Sequence, residues 1–238
     1  AREDPDPVRH TRGLAAAIRK VAEYARRDRR AIPGLAARDI RIAMDEWNYW
    51  YGPYLHGELG VRYHLKDALG VARGLHEFFR NSDIFFMANY AQTVNALGAV
   101  KVSRSSAALD ATALPLLLYR REFGTIPIRI SSQPPGLDVA AAWSGDRTAL
   151  TVAIVNPGAG AAGFSLDWRG PPLENTARRW IISGGGNPES FNEPGRPPSV
   201  TITRQDVALS DGALETPAFS ISLYRVRTRP SGAGESPR

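Results

Sequence analysis

The sequence contains no cysteine. This excludes disulfides, a thiolate nucleophile and Cys-ligated zinc, and leaves the redox compartment undetermined. Histidine is scarce as well: His10, His56, His64 and His76 form no i, i+4 pair and no His-Glu-x-x-His motif, so no metal and no cofactor is expected. His56 and His64 read as exposed or hydrogen-bonded loop histidines. No apolar run approaches the roughly 20 residues needed to span a bilayer. Gly184-Gly185-Gly186 lacks the Lys-Ser/Thr and the following helix of a phosphate-binding loop, and reads as a turn.

Lysine is nearly absent among the bases, 27 of the 30 being arginine, and the net charge is +6. There is no basic stripe with interleaved aromatics, the usual footprint of a nucleic-acid binder. The excess sits in residues 1–41, with 11 bases against 6 acids. Its densest run, Arg26-Arg27-Asp28-Arg29-Arg30, reads as the solvated end of an amphipathic helix, where cations complement the helix dipole. Neither nucleic acid nor membrane is expected as a partner. The first ten residues carry no hydrophobic signal-peptide core. The first residue is Ala rather than Met, so the native N-terminus is read as absent, and a cytoplasmic location is expected.

What is present is a globular composition, 43% apolar and 23% charged over 238 residues. The pattern changes near residues 125–135. Before it, helices are predicted over about 13–30, 65–79 and 109–123, with buried strands at Ile40–Met44 and Ile84–Ala88. Pro115 has to lie in the first turn of the third helix or kink it. The order α-β-α-β-α is that of a parallel sheet with crossover helices. After it come short β-rich runs at 126–130, 139–143, 149–155, 163–168, 177–183, 200–203 and 218–226, punctuated by Gly, Pro, Asn and Asp. They predict an antiparallel β-sandwich. Trp143, Trp168 and Trp180 fall on its strands and read as core. Residues 229–238 read as a disordered tail.

The chemistry concentrates in Met44-Asp45-Glu46-Trp47-Asn48-Tyr49-Trp50-Tyr51-Gly52, where a buried strand runs into two carboxylates and an aromatic loop. In β/α barrels, reactive residues sit at the C-terminal ends of strands. Aromatic rings stack on sugar faces, and a carboxylate can attack an anomeric carbon. Strand alternation predicts that Asp45 and Glu46 point opposite ways, so that one of them faces the site; spacing alone does not say which. A structural role for both, pairing with Arg or capping a turn, is equally compatible. Asn89 and Gln92, after the second buried strand, could hydrogen-bond sugar hydroxyls or simply cap a loop.

Asp45-Glu46-Trp47-Asn48 with Trp50 and Tyr51 resembles the nucleophile motif of glycoside hydrolase family 51, the clan A α-L-arabinofuranosidases. Ala88 to Asn95 resembles the segment after that family's last barrel strand, and Leu109 to Gly124 its final barrel helix. Asn187 to Asn192 and Ala218 to Tyr224 resemble its C-terminal sandwich. The similarity covers about residues 13–228. It implies a fold that is α/β plus all-β: residues 1–125 as the last two strands and helices of a (β/α)8 TIM barrel, then residues 126–228 as the β-sandwich. It implies Glu46 as the nucleophile of a retaining hydrolase, Asp45 as its structural neighbour, Gln92 on the arabinose at the cleavage point and Trp50 near the leaving group; Asn89, for its amide, is a further candidate substrate contact. Tyr49 stands where the family usually carries a small aliphatic residue, a departure that points to an altered leaving-group preference. The implied partner is an arabinose-containing oligosaccharide or polysaccharide such as arabinoxylan or arabinan, and the implied full-length protein is a homo-oligomer.

In such enzymes a second carboxyl, about 5–5.5 Å from the nucleophile, protonates the leaving group. That acid/base glutamate follows an Asn near the end of an earlier strand. The acids before Glu46 are Glu3, Asp4, Asp6, Glu23, Asp28, Asp39 and Asp45, and none ends a buried strand. About 125 residues precede the sandwich, against about 250 for a closed barrel. The expectation is therefore the C-terminal portion of an enzyme, inactive alone. A non-catalytic carbohydrate-binding sandwich and an inactive degenerate fragment are the alternatives.

Overall fold

Asp6 starts the first helix: its carboxylate accepts the backbone N–H of Val8 at 2.8 Å, and Pro7 follows at the first helical position. In this computed structural model, which describes residues 3–229 apart from 56 and 58, α1 spans Pro7–Ala31. It begins six residues earlier than periodicity predicts, because a cap and a proline set the start rather than an apolar stripe. His56 and residues 230–238, the bulk of the expected tail, lie outside the described residues.

β1 (Ile42–Trp47) and β2 (Phe85–Tyr90) pair in parallel, joined by α2 (Leu65–Arg80). α1 lays Leu14, Ile18 and Ala22 into a core with Trp47, Val71, Phe78, Ile84 and Phe85. The arginine run at its end is not merely solvated. Arg26 donates to Asn81 and Asp83, both at 2.7 Å, and Arg29 to the Ile40 carbonyl, also at 2.7 Å, tying the helix to the turn before β2 and to the segment before β1.

β3 (Val100–Val102) and β4 (Ala107–Leu109) form a small hairpin before α3 (Ala113–Glu122). The third helix therefore begins four residues later than predicted, and Pro115 falls in its first turn, where its missing N–H is harmless.

The rest is antiparallel. β5 (Ile126–Ile128), β6 (Asp138–Trp143), β7 (Ala149–Asn156), β9 (Leu173–Ser183), β10 (Thr201–Ala208) and β12 (Ser220–Thr228) form a six-stranded sheet in the order β10-β9-β12-β7-β6-β5. β8 (Ala162–Ser165) and β11 (Ala213–Thr216) make a second, two-stranded sheet. Alternation decides what each face meets. Ala140, Ala142, Ala153, Val155, Trp180, Ile182, Ile221 and Leu223 pack against Leu65, Leu69, Leu118 and Tyr119 of α2 and α3. Val139, Leu150, Val152, Ile154, Tyr224 and Val226 pack against Leu214 and Phe164 of the smaller sheet. β7 is covered on both sides and is buried along its whole length.

Beside this apolar contact, a buried polar cluster also joins α2 and α3 to the sheet. His76 sits between the Asp138 carboxylate and the Tyr119 hydroxyl, 2.6 Å from each, and Arg80 donates to Asp138 at 2.7 Å. Burial pushes the Asp138 carboxyl up, but the His76 and Arg80 hydrogen bonds outweigh it and hold the group below the usual range. Burial pushes the His76 imidazole down. Gly185 and Gly186 carry φ of 67° and 82°, the left-handed region that a tight turn there requires.

Candidate active site

The parallel pair carries the candidate site at its C-terminal end. Between Met44↔Ala88 and Trp47↔Tyr90, three steps along β1 match two along β2. β1 is therefore bulged at Asp45–Glu46. Met44, Trp47, Ala88 and Tyr90 all face the same core. The bulge turns both carboxylates out of it, so that Asp45 and Glu46 are both exposed. Regular alternation, which predicts opposite faces for them, is broken at this point. Among the described residues no hydrogen bond or ion pair engages either carboxylate. Asn89, between Ala88 and Tyr90 on β2, alternates away from the core at the level of the bulge and is exposed.

Trp47 anchors the strand end. Its indole lies edge-on to Phe78 and Tyr90, with ring centroids at 5.0 and 5.7 Å. A Cβ at Gly74 of α2 would lie 2.9 Å from that ring, so glycine permits the approach. Tyr49 is fully buried, its hydroxyl donating to the His10 carbonyl at 2.9 Å and its ring stacked 4.4 Å from the His10 ring. A leaving group cannot touch it. The departure at Tyr49 is thus a packing change in the core beneath the loop, and the leaving-group role expected from the sequence is withdrawn.

Trp50 is 54% exposed, and its indole N–H donates to the Tyr54 hydroxyl at 3.0 Å. Gln92 is exposed on the loop after β2, immediately after a cis Ala91–Gln92 peptide. Its backbone is held, the carbonyl accepting from Ala99 N–H at 3.1 Å, while among the described residues no hydrogen bond engages its side chain. Glu46, Asn89, Trp50 and Gln92 thus all lie exposed on segments that leave the same end of the parallel pair.

Two buried carboxylates beside this site escape sequence reasoning. Asp67 in the first turn of α2 accepts from the Tyr51 hydroxyl at 2.6 Å and from His64 N–H at 2.7 Å, and meets His10 Nε2 at 2.7 Å. Asp4 N–H donates to His10 Nδ1 at 3.1 Å, so Nε2 is the nitrogen that donates to Asp67. Asp110, just after β4, is pushed up to about 8 by burial, against the opposing pull of Lys101 at 3.7 Å. Lys101 donates to the Ala96 carbonyl at 2.7 Å, under the Gln92 loop. A cavity of about 270 Å³ lies there, bordered by Arg62, Asn95, Lys101, Asp110, Asn192 and Glu193. The signal for Asp67 and Asp110 is a single acid inside an apolar stretch, which only burial makes distinctive. Among the described residues no group of three or more His, Asp or Glu is placed to hold a metal ion.

The family model of the alpha-L-arabinofuranosidase C-terminal domain matches residues 45–220. The chain belongs to this family. A probable alpha-L-arabinofuranosidase C of Aspergillus flavus is 33% identical over 48% of this chain and 27% of its own length. Alpha-L-arabinofuranosidase C of Emericella nidulans is 35% identical over 33% of this chain and 16% of its own. Among solved structures, the alpha-L-arabinofuranosidase of Thermotoga maritima, an arabinose complex, superposes with a TM-score of 0.81 at 23% identity, covering 95% of this chain and 51% of that one. The thermostable GH51 enzyme of Thermotoga petrophila gives 0.75 at 24%, covering 90% and 48%. These likenesses show the fold. The chain spans about half the length of those structures and about a quarter of the Aspergillus flavus relative. The resemblance to the C-terminal portion of a family 51 α-L-arabinofuranosidase is borne out.

Proposed function

We propose that this chain supplies the nucleophile half of a retaining α-L-arabinofuranosidase, with β1 and β2 as the last two strands of a (β/α)8 barrel. The carrying observation is the Glu46 carboxylate: exposed, unpaired among the described residues, and bulged out of the core at the end of a parallel strand. Such a group is free to attack an anomeric carbon and form a glycosyl-enzyme. Asn89 and Gln92 offer amides to the sugar hydroxyls, and the Trp50 indole, oriented by Tyr54, offers a stacking face to the leaving group. The substrates are terminal non-reducing α-L-arabinofuranosyl units of arabinoxylan, arabinan or their oligosaccharides.

The acid/base carboxyl comes from outside these residues. Asp4 and Asp6 pair with Arg9, Glu3 with Lys66, Asp28 with Arg27 and Asp39 with Arg41, and none of these acids lies on β1 or β2. Further strands are supported by the β1–β2 sheet, which has no other strand on either edge among the described residues and exposes Phe86 and Met87, with Ile40 exposed just before β1. The sandwich shares its core with α2 and α3, which argues against a free-standing carbohydrate-binding module.

Hydrolysis of p-nitrophenyl α-L-arabinofuranoside tests this. The 238-residue chain alone is expected to be inactive; joined to a barrel half with its acid/base glutamate, it turns over, and Glu46→Ala abolishes turnover. Undiminished hydrolysis by Glu46→Ala would sink the assignment.

A further inference from the structure

We propose that Asn48 is a positioning residue that sets the Gln92 loop against Glu46, a reading that rests on the roles of those two residues given above. Asn48 follows β1 directly, two residues beyond Glu46. Tyr49 N–H donates to its Oδ1 at 2.7 Å, which fixes the orientation of the carboxamide. Its Nδ2 then faces the other strand end. It donates to the Ala91 carbonyl at 2.8 Å and the Leu97 carbonyl at 2.9 Å, and the Tyr63 hydroxyl lies 2.8 Å from the same nitrogen.

These acceptors bracket Gln92. Ala91 O is the carbonyl of the peptide that leads into Gln92, and Leu97 O also receives the Gln92 N–H at 3.4 Å. One carboxamide therefore holds both ends of the turn that presents Gln92. Tyr63 completes the brace, its hydroxyl donating back to the Tyr49 carbonyl at 2.8 Å. The bulge at Asp45–Glu46 interrupts the ladder between β1 and β2 where register matters most. Beyond it, the ladder resumes only at its last pair, Trp47↔Tyr90, where Ala91 N–H donates to Trp47 O at 3.3 Å. The side chain of Asn48 supplies the register that the ladder gives up, so a displacement of one loop is transmitted to the other.

Two experiments test this. Asn48→Asp keeps the acceptor for Tyr49 N–H and loses both donors, while Asn48→Ala loses both functions. In amide hydrogen exchange on the 238-residue chain, Asn48→Asp is expected to speed exchange at Gln92, Ala99 and Val100 by about tenfold or more, with the six-stranded sheet unchanged. Unchanged exchange across residues 92–100 overturns the proposal. In the active enzyme, a cycle of Asn48→Asp and Gln92→Ala is read in kcat/KM for p-nitrophenyl α-L-arabinofuranoside. If Asn48 acts through Gln92, the double variant is within about twofold of Gln92→Ala, whereas independent losses multiply and overturn the proposal. Absence of wild-type turnover with a responsive loop counts against the hydrolase and leaves the brace standing. Normal turnover with an unresponsive loop does the reverse.

Discussion

The Tyr49 phenol fills the space that a side chain at Gly70 would need: a Cβ there would lie 1.8 Å from the Tyr49 hydroxyl and 2.6 Å from its Cζ. Two residues from separate elements are therefore matched, one large and one without a side chain, directly beneath the strand end that carries Glu46. Tyr49 also reaches the His10 carbonyl of α1, so the pair joins both helices to the loop.

That match predicts a non-additive pair of substitutions. Gly70→Ala gains about 1 kcal/mol of helix propensity but overpacks the core, for a net loss of about 1–2 kcal/mol. In a Tyr49→Val background, which removes the phenol, the same Gly70→Ala change becomes neutral or stabilising. Urea denaturation of the four proteins measures the coupling, and additive effects contradict the packing described here.

Asp110 predicts a pH dependence of stability. Burial lifts its carboxyl from the ordinary value of 3.8 to about 8. A raised folded-state value means that the folded protein holds this proton more tightly than the unfolded chain does. The associated stability is complete below about pH 4 and is lost as pH rises through about 8. Asp110→Asn removes the titration while keeping the shape. The melting temperature of Asp110→Asn relative to wild type therefore rises between pH 4 and 8 and levels off above it. A constant difference across that range contradicts the raised value.

Much of the fold was legible in the sequence. α2 has an apolar stripe over its whole length, and the β7 and β12 runs are long enough to read as buried strands, so their existence and type followed from pattern alone. The β3–β4 hairpin did not. Its strands are three residues each, and Leu109, the last residue of β4, continues smoothly into the apolar spacing of α3, so it reads as the start of that helix. β11 was missed for the same reason: only Leu214 and Thr216 turn inward.

The site was legible to a lesser degree. Spacing could not choose between Asp45 and Glu46; the resemblance did, and the bulge explains why alternation was no guide there. Asn48 stood in plain view as the last residue of Asp-Glu-Trp-Asn. Its task depends on the carbonyls of Ala91 and Leu97, 43 and 49 residues away, and no local pattern reports those.

The most direct test of the account is to trap the covalent intermediate. A 2-deoxy-2-fluoro arabinofuranoside with a dinitrophenolate leaving group needs no protonation to depart, so the nucleophile alone decides the first step. After incubation with the active enzyme, peptide mapping by mass spectrometry should find the arabinosyl label on Glu46, and Glu46→Gln should stay unlabelled. A label on Asp45 or elsewhere, or equal labelling of Glu46→Gln, would contradict the assignment.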